Sequence, residues 1–290
     1  MCRMALLPKD YKGDKIVKLL DHLEKAMGGD GNGFGYYKED GSAEVIKGLK
    51  VSNKTINTIE PFSEMVMYHS RKASVGEMDD DNTQPFVTIP AGKDKESFLL
   101  CHNGTWTSHT DYKKILLMLG KLTVAQYQCW SDTHFMAWLI STQGEDRLDL
   151  PSSGVWLQMF ADGHAIAHVR SGDFQAFKLG KKWIYASEFP KEGYPKVWDF
   201  KSDSKIWMHP DKGFKVLEGA KPEYKENWNY SGTSNYYYKN EAWDPQTGVW
   251  KNDKDDVKKD ASKFYYYDKT GKKCECTSYL EDYYGRDYKY

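Results

Sequence analysis

Met65-Val66-Met67-Tyr68-His69-Ser70-Arg71-Lys72-Ala73-Ser74-Val75-Gly76 sets the pattern from which the architecture can be read. A short apolar run, the length of a buried strand, passes directly into a polar segment that ends on glycine. An arginine at a strand end can hold a carboxylate through its planar fork, although an isolated arginine more commonly makes a surface salt bridge. The pattern recurs where Phe98–Cys101 leads into His102-Asn103-Gly104-Thr105-Trp106. There an Asn amide beside a Gly N–H would make a pair of oxyanion donors, or simply an Asn-Gly turn.

Around these two junctions the chain alternates strands and helices. Ile16, Val17, Leu19, Leu20, Leu23, Ala26 and Met27 follow helical spacing, with Asp14 placed to cap and Gly28-Gly29 to stop the helix. Gly31-Asn32-Gly33-Phe34-Gly35-Tyr36 reads as a glycine-dense turn, where Gly33 and Gly35 permit close backbone approach. The Lys-Ser/Thr of a phosphate loop is absent from it. Tyr112–Leu119 and Thr133–Ile140 look helical, the second with Ser131 or Asp132 at its N-cap. Val155–Phe160, His164–Val169, Phe174–Leu179 and Trp183–Ala186 are strand-like and separated by Gly-containing turns. Strands, then helices, then strands predict packed sheets under helical outer layers.

The chain has 290 residues with 41 basic and 42 acidic side chains, a formal net charge of −1. That length admits one large domain or a domain with an appendage. The charge balance lacks the basic excess of a nucleic-acid binder, and no run approaches the ~18 apolar residues of a membrane span. The opening Met-Cys-Arg-Met-Ala-Leu-Leu-Pro-Lys-Asp does not read as a secretory signal, and five scattered cysteines make no disulfide framework. A reducing, cytoplasmic setting with neither nucleic acid nor membrane as partner is therefore expected. Of 43 aromatic residues, 22 fall in positions 191–290, which hold only seven Val, Ile or Leu. So few aliphatics argue against an independent core there. The expected boundary lies near Pro190, dividing a globular domain at 2–190 from a Tyr/Trp/Lys-rich extension at 191–290. The extension would be irregular strands packed on the first domain, or a partly disordered tail. Its 19 basic against 18 acidic residues give no attraction for single-stranded nucleic acid. Cys274-x-Cys276 lacks a second ligand pair, and His164 and His168 lie on a strand-like segment, so neither metal nor cofactor is expected.

Cys2 has a sharper chemical reading. Aminopeptidases remove Met1 when the next residue is small, which would leave Cys2 at the N-terminus. An N-terminal cysteine carries a nucleophilic sulfur and its own base, an α-amine with a pKa of roughly 7.7–8.0. Taken alone, Cys2 reads first as a small residue after the initiator, and Ser131-Asp132-Thr133 first as a plain helix cap. Together and in order, Cys2, the glycine segment, His69–Gly76, His102–Gly104 and Ser131–Thr133 resemble the motifs of class-II glutamine amidotransferases, which are N-terminal-nucleophile hydrolases. Met-Cys-Arg is similar to the compact branch of that family, made mostly of the glutaminase domain. Asn82-Thr83-Gln84-Pro85-Phe86 resembles its Asn-Thr-His-Pro-Phe, and Val169-Arg170-Ser171-Gly172 with Ile184-Tyr185-Ala186-Ser187-Glu188 resemble its closing strands.

The resemblance covers about residues 2–190 and implies an α+β fold, a four-layer αββα sandwich, with the aromatic-rich extension beyond it. It implies Cys2 as nucleophile, Asn103 and Gly104 as oxyanion donors, Arg71, Asp132 and Ser74 as substrate contacts, and Gly33, Gly35 and His102 as structural neighbours of the site. The substrate would be glutamine, yielding glutamate and ammonia through a γ-glutamyl thioester, the ammonia passing to a separate acceptor synthase. A γ-glutamyl peptide or conjugate as substrate, or a non-enzymatic partner-binding descendant, are the alternatives. Gln84 stands where many relatives have His, Val75 where some have His or Arg, and Arg3 where the larger synthases have Gly.

Overall fold

In the computed structural model, residues 2–92 and 95–226 are described, together with the backbone of four short strands between 241 and 275. Tyr236–Tyr238 and Cys276 lie outside the described residues. Strand β1 (Arg3–Pro8) shows how the layers arise. Successive side chains on a strand point to opposite faces. Met4 and Leu6 enter one core, Ala5 and Leu7 another, and all four are fully buried. A strand buried on both faces belongs at the centre of a sheet. β1 accordingly pairs antiparallel with β4 (Met65–Ser70) on one side and β10 (Lys182–Ala186) on the other.

That sheet has eight strands in the order β14-β11-β9-β10-β1-β4-β2-β3. Its remaining members are β2 (Asn32–Tyr37), β3 (Ala43–Gly48), β9 (Gln175–Leu179), β11 (Lys196–Asp199) and β14 (Glu223–Glu226). The second sheet has six strands in the order β13-β12-β8-β7-β6-β5. It comprises β5 (Phe86–Thr88), β6 (Phe98–Asn103), β7 (Val155–Phe160), β8 (Ala165–Val169), β12 (Ser204–His209) and β13 (Gly213–Glu218). In β6, Leu99 and Cys101 join Met4, Leu6 and Met67 in one core, while Phe98 and Leu100 turn outward.

Helix α1 (Asp14–Met27) closes the outer face of the first sheet with Ile16, Leu19, Leu20 and Leu23. Helices α2 (His109–Met118), α3 (Val124–Cys129) and α4 (Asp132–Gln143) lie on the other side of the molecule. From α4, Phe135, Met136, Leu139 and Ile140 cover the second sheet. The result is the expected four-layer α+β sandwich, helix–sheet–sheet–helices. Each fully buried aliphatic side chain contributes roughly 1.5–3 kcal/mol.

Three expectations need correction. Gly13, not Asp14, occupies the N-cap of α1, and Asp14 lies in its first turn. The glycine-dense segment is strand β2 rather than a turn. A Cβ on Gly33 would sit 1.9 Å from the Gln84 carbonyl oxygen and one on Gly35 2.7 Å from Pro85 Cγ, so glycine marks close strand packing. The third concerns residues 191–226, where strand pairing runs on past Pro190. The first compact unit extends from Met1 to Trp228, and Phe200, Ile206 and Met208 enter the inter-sheet core. Aromatic residues and single, spaced aliphatics, rather than aliphatic runs, supply the core positions of these strands. The second unit, Asn229–Tyr290, contains two hairpins: β15 (Glu241–Asp244) with β16 (Val249–Asn252), and β17 (Tyr265–Tyr267) with β18 (Lys273–Glu275).

Candidate active site

The polar residues singled out in the sequence sit where strands of both sheets end. Cys2 immediately precedes β1, Arg71 follows β4, Asn103 ends β6, and Asp132 opens α4. Ser131 caps α4 by accepting from the His134 N–H at 3.1 Å, and the Asn82 side chain fixes that cap by accepting from the Ser131 N–H at 2.7 Å.

Cys2 is buried, and its Sγ accepts a hydrogen bond from the Lys72 N–H at 3.3 Å. The arginine loop thus touches the nucleophile candidate through backbone. Burial pushes the Cys2 thiol's pKa up, with the Lys72 N–H acting against it; Asp132 pushes it further up and Arg71 pulls it down. A thiol in that condition rests protonated and needs a base to react.

Arg71 is 2% exposed. Its guanidinium donates to the Glu77 carbonyl at 2.8 Å and the Val75 carbonyl at 3.1 Å, so its own loop holds the fork in place. Among the described residues no carboxylate forms an ion pair with it. A buried cation without a counter-charge is costly, and a ligand carboxylate would relieve that cost. Burial lowers its pKa, while the neighbouring Cys2, Asp79 and Asp132 act in the opposite direction.

Asp132 accepts from the Trp106 N–H at 2.8 Å and the Thr133 N–H at 2.9 Å. These bonds use one oxygen each and leave further lone pairs for a cation. His102 Nδ1 lies 3.7 Å from Asp132, but burial takes the imidazole down to about 4 despite that carboxylate, so it is neutral near pH 7. The His102 ring stacks on Trp156 at 3.7 Å. His69 is buried beside it, pushed down to about 3 chiefly by burial, and its Nε2 donates to the His102 carbonyl at 3.1 Å.

Gly104 has φ +151°, and a Cβ there would meet Gly154 Cα at 2.6 Å and His102 Nε2 at 2.8 Å. Only glycine suits this position. Asn103 is buried, with Nδ2 donating to Ser187 Oγ at 3.2 Å. Ser74, at the exposed tip of the arginine loop, lies 3.2 Å from the Thr105 hydroxyl and so links that loop to the Asn103-Gly104 segment.

Two features escaped the sequence reading. Gln84, seen there only as a departure, accepts from the His102 N–H at 2.6 Å and donates to Thr133 Oγ1 at 3.1 Å. It therefore joins the end of β6 to the start of α4. Arg3 pairs with Glu188 at 2.9 Å and donates to the Cys2 carbonyl at 3.1 Å. The only advance signal for either was its place inside or beside a motif. Among the described residues no cluster of His, Cys, Asp and Glu could hold a metal, and no helix is long and apolar enough to cross a membrane.

Residues 21–130 match the model of a family described as class-II glutamine amidotransferases. Among solved structures, the glutamine phosphoribosylpyrophosphate amidotransferase of B. subtilis, complexed with ADP and GMP, has a similar fold. It aligns with a TM-score of 0.55 at 17% identity, covering 74% of this chain and 48% of that one. A structure described as the allosteric regulatory enzyme of purine biosynthesis gives a TM-score of 0.54 at 18% identity, with the same coverages of 74% and 48%. The chain spans about half the length of these relatives, and at such identities the likeness is one of fold. No curated protein matches the sequence. The matched region contains the arginine loop and the Asn103-Gly104 segment, while Cys2 and Asp132 lie outside it in sequence.

Proposed function

We propose that the domain hydrolyses the side-chain amide of glutamine, with Cys2 as an N-terminal nucleophile. Removal of Met1 frees the Cys2 α-amine, whose pKa of roughly 7.7–8.0 suits a base near neutral pH. The amine takes the thiol proton as Sγ attacks the amide carbon. Asn103 Nδ2 and the Gly104 N–H stabilise the resulting oxyanion. Collapse breaks the C–N bond, the protonated amine supplies a proton to departing ammonia, and a γ-glutamyl thioester remains. Water, activated by the same amine, then releases glutamate.

Arg71 holds the substrate α-carboxylate and Asp132 its α-ammonium. Opposite charges side by side suit a zwitterionic head group. Ser74 stands at the mouth of the site as a further polar contact. The observation that carries this reading is Arg71, buried with its fork fixed by backbone and without a carboxylate partner among the described residues. Such a group fits a ligand carboxylate better than a structural salt bridge. Ammonia released in this way would serve an acceptor protein.

Protein lacking Met1, incubated with glutamine, is expected to release glutamate and ammonia in equal amounts, with Cys2→Ala showing no turnover. Unchanged turnover by Cys2→Ala would rule out the mechanism.

A further inference from the structure

Cys2 presents a positioning problem that the chemistry above does not solve. Strand pairing of β1 starts at Arg3, opposite Ser70, so the nucleophile lies one residue outside the sheet. Once Met1 is gone, Cys2 is joined to the protein by a single peptide bond, and rotation of that peptide plane about the Arg3 N–Cα bond would swing amine and thiol together. Asn103 poses a second problem. Its amide has one face that donates and one that accepts, and only the donating face can serve an oxyanion.

Both meet at the segment that follows β10. Ser187 is 1% exposed, and its hydroxyl is fully committed. It accepts from the Met4 N–H at 3.1 Å and its proton points to the Met4 carbonyl at 3.4 Å, while the Ser187 N–H also donates to that carbonyl at 2.9 Å. The remaining Oγ lone pair faces Asn103 at 3.2 Å and requires a donor, which selects Nδ2 over Oδ1. One N–H of the amide is thereby tied down, leaving the other for substrate.

Glu188 acts on the other partner. Its Oε2 accepts from Arg3 Nε at 3.1 Å and Nη2 at 2.9 Å, and its Oε1 lies 3.0 Å from His22 Nε2 on α1. With two of its nitrogens held, the Arg3 guanidinium directs Nη1 to the Cys2 carbonyl at 3.1 Å. That bond holds the Cys2–Arg3 peptide plane, and so the Cα that carries both amine and thiol, in place.

We propose that Ser187 and Glu188 form a positioning clamp that holds the oxyanion donor and the nucleophile in one frame. Ser187 acts through Asn103, and Glu188 through Arg3. The inference rests on the glutaminase reading and adds residues for which that reading gives no role.

Kinetics of the full chain with glutamine test it, alongside the thermal midpoint of every variant. Ser187→Ala should lower kcat roughly 10-fold, the effect of one orienting hydrogen bond, with KM within about twofold. Arg3→Met should also lower kcat, and the double variant Arg3→Met/Glu188→Ala should be no slower than Arg3→Met alone. Glu188→Gln, which keeps an acceptor for Arg3, should recover most of the activity lost in Glu188→Ala. A purely structural role would instead lower the thermal midpoint and leave kcat per folded site unchanged. Wild-type turnover with Ser187→Ala and Arg3→Met at wild-type kcat overturns the clamp alone. Absence of wild-type turnover overturns the glutaminase reading and the clamp with it. If Glu188→Ala does not fold, Ser187→Ala and Arg3→Met decide the point, a lowered kcat at an unchanged thermal midpoint supporting the clamp and wild-type kcat in both refuting it.

Discussion

Asp132 shows how much one side chain does at once. Its two oxygens hold the Trp106 and Thr133 N–H groups, and the same carboxylate bears on the ionisation of Cys2 and Arg71. Asp132→Asn is nearly isosteric but removes the charge that would meet an α-ammonium. A charge-assisted hydrogen bond is worth about 1.5–3 kcal/mol, so KM for glutamine should rise roughly 10- to 100-fold with a smaller change in kcat. Steady-state kinetics on the folded variant would check this, and an unaltered KM would remove Asp132 from the head-group site. At this scale the sequence was legible in placement: Arg71 follows strand β4 and Asn103 ends β6, as the two strand-end junctions suggest. It was not legible at Gln84. An amide can bridge any donor to any acceptor, and its partners His102 and Thr133 are distant in the chain.

Strand β2 makes the same point for elements. Its glycines suggested a turn because local sequence cannot distinguish a backbone that must bend from one that another segment must approach. Here the Gln84 carbonyl would lie 1.9 Å from a Cβ on Gly33, and the following Gln84 side chain grips the His102 N–H. Gly33→Ala must push backbone against backbone, costing about 2–3 kcal/mol as overpacking does. The thermal midpoint should fall by roughly 5–10 °C. A calorimetric scan showing no loss would mean that β2 and the Gln84 segment can separate freely. Helix α4 lay closer to its sequence reading, because a Ser N-cap followed by buried residues is a local signal. β1 was missed as a strand. A short apolar run buried on both faces shows no alternation of polarity, and only its two cores reveal the period of two.

Across the first unit, two sheets share one core, with α1 on the outer face of one and the other helices on the outer face of the second. The sandwich followed from the order of elements and the family resemblance. Its extent did not, because strands β11 to β14 fill their core positions with few aliphatics. Truncation after Pro190 would remove Phe200, Ile206 and Met208 from the inter-sheet core and Val197 from the other. At roughly 2–5 kcal/mol for each large core side chain, the loss approaches or exceeds the ~5–15 kcal/mol stability of a typical domain. Residues 1–190 alone should therefore give no cooperative melting transition, and a sharp one would show that these strands are dispensable. The central claim is chemical, that a freed N-terminal Cys2 attacks a γ-amide. It is tested most directly by intact-mass and peptide mapping after treatment with a glutamine analogue bearing a diazoketone. The expected result is protein lacking Met1 with a single adduct on Cys2; an adduct on Cys101 or Cys129 instead, or full activity in protein that retains Met1, would contradict it.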